Sequence, residues 1–281
     1  MKKFGKWLKR AVAAGVAIYA LFCAVVYLYP QYFFYNPTHT PSNLDNARAK
    51  GFMAERVDYA SEDGTPLFGW YIPPRRNNLP LVVFMHGNSY NIETFYNKMQ
   101  PLAEAGYGVF MPEYRGFGGV EGKISQANLE ADAIAAVRKL QQMGYDNSRM
   151  VIYGMSLGSH MATNSVYKLQ NDGNFAGLIL EVPFDNIENV VRLVVPVPLP
   201  LQYIVRDKYH NEEMLSGVNA PLLLMGGTHD RTVPVELAKK LYTFAKEPKN
   251  MIIYEGGTHS GLYDLQNYKD VLSWLENLTR K

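Results

Sequence analysis

The chain has 281 residues, 28 Lys and Arg against 26 Asp and Glu, a net charge of +2 and one cysteine. A charge this near neutral excludes a strongly basic nucleic-acid footprint. The lone Cys23 excludes an internal disulfide framework and a cysteine-based zinc site. Outside an apolar N-terminal run about 250 residues remain, enough for one α/β domain with a full core.

Much of the positive excess sits at the start, in Lys2, Lys3, Lys6, Lys9 and Arg10. Ala11 to Tyr29 follows without a charge. As a helix it spans roughly 28 Å, about one hydrocarbon core. Trp7 precedes it, Pro30 ends it, and Tyr27, Tyr29, Tyr32, Phe33, Phe34 and Tyr35 crowd its far end as an interfacial aromatic belt would. A cleavable signal peptide needs a small-x-small site, and Tyr27-Leu28-Tyr29-Pro30 has none. Bulky Phe22 before Cys23 argues equally against a lipoprotein site. The expectation is a single-pass, uncleaved signal anchor: residues 1–10 a cytoplasmic basic segment, 11–29 a transmembrane helix, and 30–50 a tether or early surface segment. The positive-inside rule puts the remainder, 51–281, across the membrane, in the periplasm of a Gram-negative cell.

After the tether, Arg56-Val57-Asp58-Tyr59 and Leu67 to Ile72 flank a Glu62-Asp63-Gly64 turn and read as a hairpin. Buried strands then alternate with helices: Leu81 to Met85, helix Ile92 to Ala105, Val109 to Tyr114, helix Leu129 to Met143, Met150 to Tyr153, and a helix running to about Leu169. Leu178 to Val182, Pro221 to Met225 and Met251 to Tyr254 are the later strands, with helices expected over 234–246 and 262–279. This alternation predicts an α/β fold with a mostly parallel central sheet and helices on both faces. One stretch breaks it, a small apolar insertion at about 184–216. Pro196, Pro198 and Pro200 forbid a regular helix or central strand within Val190 to Val205. That segment either lines the mouth of a site or packs as a loop on the core.

Gly154-Met155-Ser156-Leu157-Gly158 joins a strand to a helix with a serine between two glycines. Taken alone, it is either a turn with a helix-capping serine or a nucleophile elbow, in which a strained turn lifts the hydroxyl clear of the sheet. Open parallel sheets bind ligands beyond their strands' carboxyl ends, so ionisable residues just after strands decide between these readings. Asp230 follows the Pro221 strand through Gly226-Gly227-Thr228-His229, and His259 follows the last strand through Gly256-Gly257-Thr258. Glu181 and Asp185 are alternative acids. His39, His86, His160, His210 and His229 lie in the tether, at a strand end, on the elbow helix, in the insertion and beside Asp230. The order Ser156, Asp230, His259 favours a hydrolase triad. Histidine's ordinary pKa of roughly 6.5 lets it take and return the serine proton, while a buried carboxylate orients it. For the oxyanion, the elbow supplies the Leu157 N–H. Gly87 lets the chain turn after the Leu81–Met85 strand, which makes the Asn88 N–H the second donor.

With these residues in hand, the chain resembles the α/β-hydrolase superfamily, and within it the membrane-anchored serine hydrolases of the Bem46-like and ABHD13/ABHD17-like group. His86-Gly87-Asn88, Tyr114-Arg115-Gly116-Phe117-Gly118, the elbow, Asp230-Arg231-Thr232-Val233-Pro234 and Gly257-Thr258-His259 carry the resemblance. Two positions depart from the group: Glu113 where Asp is usual before Tyr-Arg-Gly, and Ser159 where a second Gly is usual. Arg115 reads as a loop brace rather than a catalytic group. The expected activity is a serine esterase, lipase or acyl-thioesterase acting on acyl-ester, thioester or lipid-like substrates through an acyl-enzyme. A peptidase or amidase with the same triad, and a non-catalytic membrane-anchored binding protein on this fold, are the alternatives. This chemistry calls for no cofactor, metal or nucleic acid, and no His-x-x-x-His pair is present.

Overall fold

The computed structural model describes residues 2–195 and 198–280. Eight strands form one sheet: β1 Glu55–Ala60, β2 Pro66–Ile72, β3 Leu81–Met85, β4 Gly108–Pro112, β5 Met150–Met155, β6 Gly177–Glu181, β7 Leu222–Gly227 and β8 Lys249–Tyr254. Their spatial order is β1-β2-β4-β3-β5-β6-β7-β8. The β1–β2 and β2–β4 pairs are antiparallel, and every pair from β4 to β8 is parallel.

The core follows from the alternation of side chains along each strand. Leu81, Val83 and Met85 of β3 point into one buried cluster, whereas Val82 and Phe84 point into the other. Beyond α1 (Lys2–Leu28), the long helices are α2 Ile92–Glu104, α3 Gln126–Gln142, α4 Leu157–Leu169, α5 Ile187–Val194, α6 Val235–Phe244 and α7 Asn267–Thr279. Apolar residues of α3, α4 and α6 cover the first face; those of α2 and α7 cover the second. Burial on both faces is why β3 to β7 read as unbroken apolar runs rather than as alternating ones.

Three segments differ from expectation. The last helix starts at Asn267 rather than 262, because the chain first makes a turn through Gly261 to Gln266, which has φ +61°. Within Val190 to Val205 the chain is partly helical. It holds the latter part of α5 and, further on, a turn of helix, Leu201–Ile204, with Pro200 just before it; Pro196 and Val197 lie outside the described residues. The stretch 30–50 is not a free tether. Asn36–Pro37 pairs in parallel with Ser89–Tyr90, and a short helix, Leu44–Ala49, is capped by Asn43 and buries Ala47. The residues responsible, Tyr35, Ala47 and Phe52, are apolar groups that a free linker would leave in water. Among the described residues one helix, covering Phe4–Leu28, is long and apolar enough to cross a membrane.

Arg115 braces the turn after β4. Its guanidinium reaches buried Asp132 at 2.6 Å and Asp63 at 2.6 Å. Asp132 is fully buried, so Arg115→Ala leaves an uncompensated charge in the core. The expected loss is about 3–5 kcal/mol, measurable as a lower thermal midpoint of the detergent-solubilised full chain.

Candidate active site

Ser156 occupies the turn between β5 and α4 with φ +53° and ψ −120°, a conformation that costs a non-glycine residue about 1–3 kcal/mol. Its neighbours explain how the turn closes. A Cβ at Gly154 would lie 2.2 Å from the Gly158 carbonyl oxygen, and one at Gly158 would lie 1.9 Å from that of Met85. Only hydrogen fits at either position, so α4 can start directly against the ends of β3 and β5. The Ser156 N–H donates to the Glu181 carbonyl at 2.9 Å, tying the elbow to β6. Ser159, where the resembling group has glycine, is accommodated: it is fully buried inside α4, and its hydroxyl has no partner among the described residues.

His259 Nε2 lies 2.9 Å from Ser156 Oγ, and His259 Nδ1 lies 2.8 Å from Asp230 Oδ2. With the Nδ1–H donated to the carboxylate, Nε2 accepts the serine proton. The other carboxylate oxygen accepts the N–H groups of Thr232 at 2.9 Å and Val233 at 2.8 Å, which leaves Oδ2 for the imidazole. The Asp230 side chain is buried, while 19% of the His259 side chain is exposed, so the imidazole stays open to solvent on one edge. The two loops carrying these residues are stitched together. Gly227 and Gly257 touch backbone to backbone, and the His229 N–H donates to the Gly257 carbonyl at 2.9 Å.

The alternative acids are engaged elsewhere. Glu181 pairs with Lys98 at 2.5 Å and accepts the Tyr153 hydroxyl; Asp185 binds Lys240 and Asn189, each at 2.6 Å. His160 contacts Glu130 and Asn211, and His210 contacts Glu212. The N–H groups of Asn88 and Leu157 donate to no acceptor among the described residues, and both residues line a cavity with Ser156.

A feature invisible in the sequence stands behind Asn88. His86 Nδ1 is 2.8 Å from the Gly87 carbonyl and Nε2 is 3.0 Å from Glu113 Oε1. A carbonyl can only accept, so Nδ1 carries a proton, and a second proton is shared between Nε2 and Oε1. The remaining Glu113 oxygen accepts the Ser42 hydroxyl at 2.7 Å and the Ile92 N–H at 3.1 Å. Holding the Gly87 carbonyl on the imidazole turns the Asn88 N–H the opposite way, because a trans peptide sets the two antiparallel. The Asn88 side chain also donates to the Phe34 carbonyl at 2.7 Å, and its own carbonyl accepts the Asn36 N–H at 2.9 Å.

Two spaces reach the serine. An apolar cavity of about 70 Å³ is lined by Phe34, Tyr35, Leu157, Ile187, Val190 and Tyr209 among others. A wider cleft of about 570 Å³ includes Tyr90, Lys98, His259, Tyr263 and Asp264. Phe34 and Tyr35 read in the sequence only as part of an aromatic belt; no local pattern marks them as cavity walls.

A model of the prolyl oligopeptidase family matches residues 93–281. The chain belongs to the prolyl oligopeptidase family. It is similar to the YfhR protein of Escherichia coli K12, 32% identical over 247 residues that make up 85% of this chain and 83% of that one. It is similar also to the lysophosphatidylserine lipase ABHD12 of Danio rerio, 27% identical over 202 residues, 65% of this chain and 51% of that one. Among solved structures, an acetyl xylan esterase from Paenibacillus sp. R4 superposes with a TM-score of 0.63 at 22% identity, covering 86% of this chain and 97% of its own. That likeness is one of fold, and the fold is the α/β hydrolase. The molecule is thus a hydrolase with a serine-hydrolase architecture.

The hydrogen-bond inventory at Glu113 makes a sharp prediction. A glutamine in place of Glu113 would offer its oxygen to Ser42 and Ile92 and its N–H to His86, satisfying every partner, whereas alanine would free the loop. Glu113→Gln is therefore expected to retain turnover within about threefold. Glu113→Ala and His86→Ala are expected to lower kcat by about 10², the scale of one oxyanion donor, with KM little changed. Rates are compared per fluorophosphonate-titrated site so that misfolded protein does not count.

Proposed function

We propose that this protein is a membrane-anchored serine hydrolase that cleaves acyl esters or thioesters. The observation that carries the reading is the hydrogen-bonded chain Ser156–His259–Asp230 beside two unpaired backbone N–H groups. Ser156 Oγ attacks the acyl carbonyl while His259 Nε2 takes its proton. The carbonyl oxygen, now negative, is held by the Asn88 N–H of the loop after β3 and by the Leu157 N–H at the start of α4, where the helix dipole adds to it. As the tetrahedral adduct collapses, His259 returns the proton to the departing alkoxide or thiolate, leaving the acyl group on Ser156. Water then attacks the acyl carbon while His259 takes its proton. The adduct collapses with cleavage of the bond to Ser156 Oγ, His259 returns the proton to that oxygen, and the acid leaves. Asp230 holds the imidazole in the needed tautomer throughout.

The apolar walls beside Ser156 support an acyl rather than a polar group on that side. The lipase and esterase named among the similar proteins support the same chemistry. The family name favours a second reading, peptide or amide cleavage by the same triad. α1 supports anchorage, and its flanking basic residues support a cytoplasmic N-terminus with the hydrolase domain across the membrane, periplasmic in a Gram-negative cell.

The full chain in detergent is expected to react with a fluorophosphonate probe, and Ser156→Ala to abolish the adduct and lower kcat on the order of 10⁶-fold. A folded wild type that takes no label ends this reading. Acyl p-nitrophenyl esters should outpace the matched p-nitroanilides, and the reverse ranking selects the amidase. Because a general base works unprotonated, kcat/KM should fall towards acid; a flat rate down to about pH 4 contradicts a histidine base.

A further inference from the structure

Helix α1 does not stand clear of the hydrolase domain. Its Tyr19 hydroxyl donates to the Pro198 carbonyl at 2.6 Å, and Cys23 and Val26 share a buried cluster with Leu201, Ile204 and Val205. Nearer its end, Arg206 lies over the Tyr27 ring, 5.5 Å from the centroid. The insertion therefore follows α1 back from Tyr27 to Tyr19. At 1.5 Å per residue, Tyr19 lies about 14 Å below the end of the helix at Leu28. The candidate span Phe4–Leu28, counted with Lys6, Lys9 and Arg10 at its start, has 25 residues. That makes about 37 Å, some 7 Å more than a hydrocarbon core of about 30 Å. Even if the whole surplus projects on the domain's side, the contact between Tyr19 and Pro198 sits about 7 Å inside the hydrocarbon.

We propose that the C-terminal half of α5 and the segment Pro198–Val205 dip into the leaflet on the domain's side. With the chain just after α1, they form an entrance through which acyl chains of membrane lipids reach Ser156. This rests on the reading of α1 as a membrane span. The depth is about 7–14 Å, and the shallow end of this range, about 7 Å, is that of an interfacial element.

The residues fit the solvent they would meet. Leu193, Val194 and Val195 are exposed on the domain, Tyr203 is 72% exposed, and Tyr29, Tyr32 and Phe33 are exposed beside the end of α1. In water such a face is a liability; in a leaflet it is the contact surface. The backbone is suited as well. Pro198 and Pro200 have no N–H to leave unpaired, the Pro198 carbonyl is taken by Tyr19, and the Tyr203 N–H donates to the Pro200 carbonyl. Arg206 at the level of Tyr27 meets the headgroups. Behind this face, Ile187 and Val190 of the same helix α5 line the apolar cavity at Ser156, together with Phe34 and Tyr35, which follow α1.

Single nitroxide labels test the placement in the full chain, on a Cys23→Ala background, in phosphatidylcholine vesicles. Labels at Val16→Cys, Val194→Cys and Tyr203→Cys should collide with dissolved oxygen and be shielded from a water-soluble nickel chelate; Lys246→Cys should show the opposite. If 194 and 203 behave like 246 while 16 is shielded, the proposal fails and the anchor stands. If all four are open to the chelate, the anchor fails and the proposal with it. Spin–spin broadening at 203 that vanishes on diluting labelled with unlabelled protein assigns the face to a second copy and overturns the proposal. For the entrance, Tyr203→Asp should lower turnover of a long-chain ester in vesicles about tenfold relative to dissolved p-nitrophenyl butyrate, since a carboxylate resists burial in hydrocarbon. An unchanged ratio overturns that part.

Discussion

The contact on which the site depends is the approach of α4 to the ends of β3 and β5. With hydrogens at Gly154 and Gly158, the first turn of the helix sits against the Met85 and His86 carbonyls. That closeness brings the start of α4, with its unpaired N–H groups, to the loop after β3 that carries Gly87 and Asn88. One methyl group at either glycine would separate them. The strained backbone of Ser156 follows from the same constraint, because the chain must reverse within a single residue to leave a strand and enter a helix already in contact with it. Burial of β5 and α4 on all sides holds that conformation in place.

Two later strands complete the geometry by the same means. β7 and β8 are parallel neighbours, so their carboxyl ends lie side by side, and glycines at 227 and 257 let the loops beyond them touch. Asp230 and His259 are far apart from Ser156 in the chain yet share one hydrogen-bonded line. This is why these two strands, and the residues just after them, were readable from the sequence. Each strand is short, apolar and followed by a glycine-rich turn, and the chemistry-bearing residue comes directly after that turn. Elements built on such local rules, from Leu81–Met85 to Lys249–Tyr254, lie where periodicity puts them, within a residue or two.

What escaped the sequence depends on contacts between distant segments. His86 and Glu113 are separated by a full helix and strand, and nothing near either marks them as partners. Only the fold puts Glu113 Oε1 against the ring that holds the Gly87 carbonyl. The substitution of Glu for the usual Asp then has a physical sense, for the same carboxylate also reaches Ser42 and the first N–H of α2. The stretch 30–50 was equally opaque. Proline and polar residues without periodicity describe a linker, and they describe just as well a chain that borrows its hydrogen bonds from a neighbouring loop. Asn36 and Thr38 do the latter, donating to the carbonyls of Asn88 and Tyr90.

That borrowing links the end of the apolar helix α1 to the candidate site. The chain leaving α1 passes Phe34, whose carbonyl accepts from the Asn88 side chain, and Tyr35, whose ring walls the cavity at Ser156. It continues to Ser42, which donates to Glu113 behind the same loop. A segment that only joined an anchor to an enzyme would need none of these contacts, and its length would matter more than its sequence. Here it supplies backbone support for the loop carrying the Asn88 N–H and apolar wall for the cavity, so deleting Phe34 to Ser42 removes parts of the site itself. The helix packs on the same domain, through Tyr19, Cys23 and Val26 against Pro198, Leu201, Ile204 and Val205, so it too belongs to the folded unit.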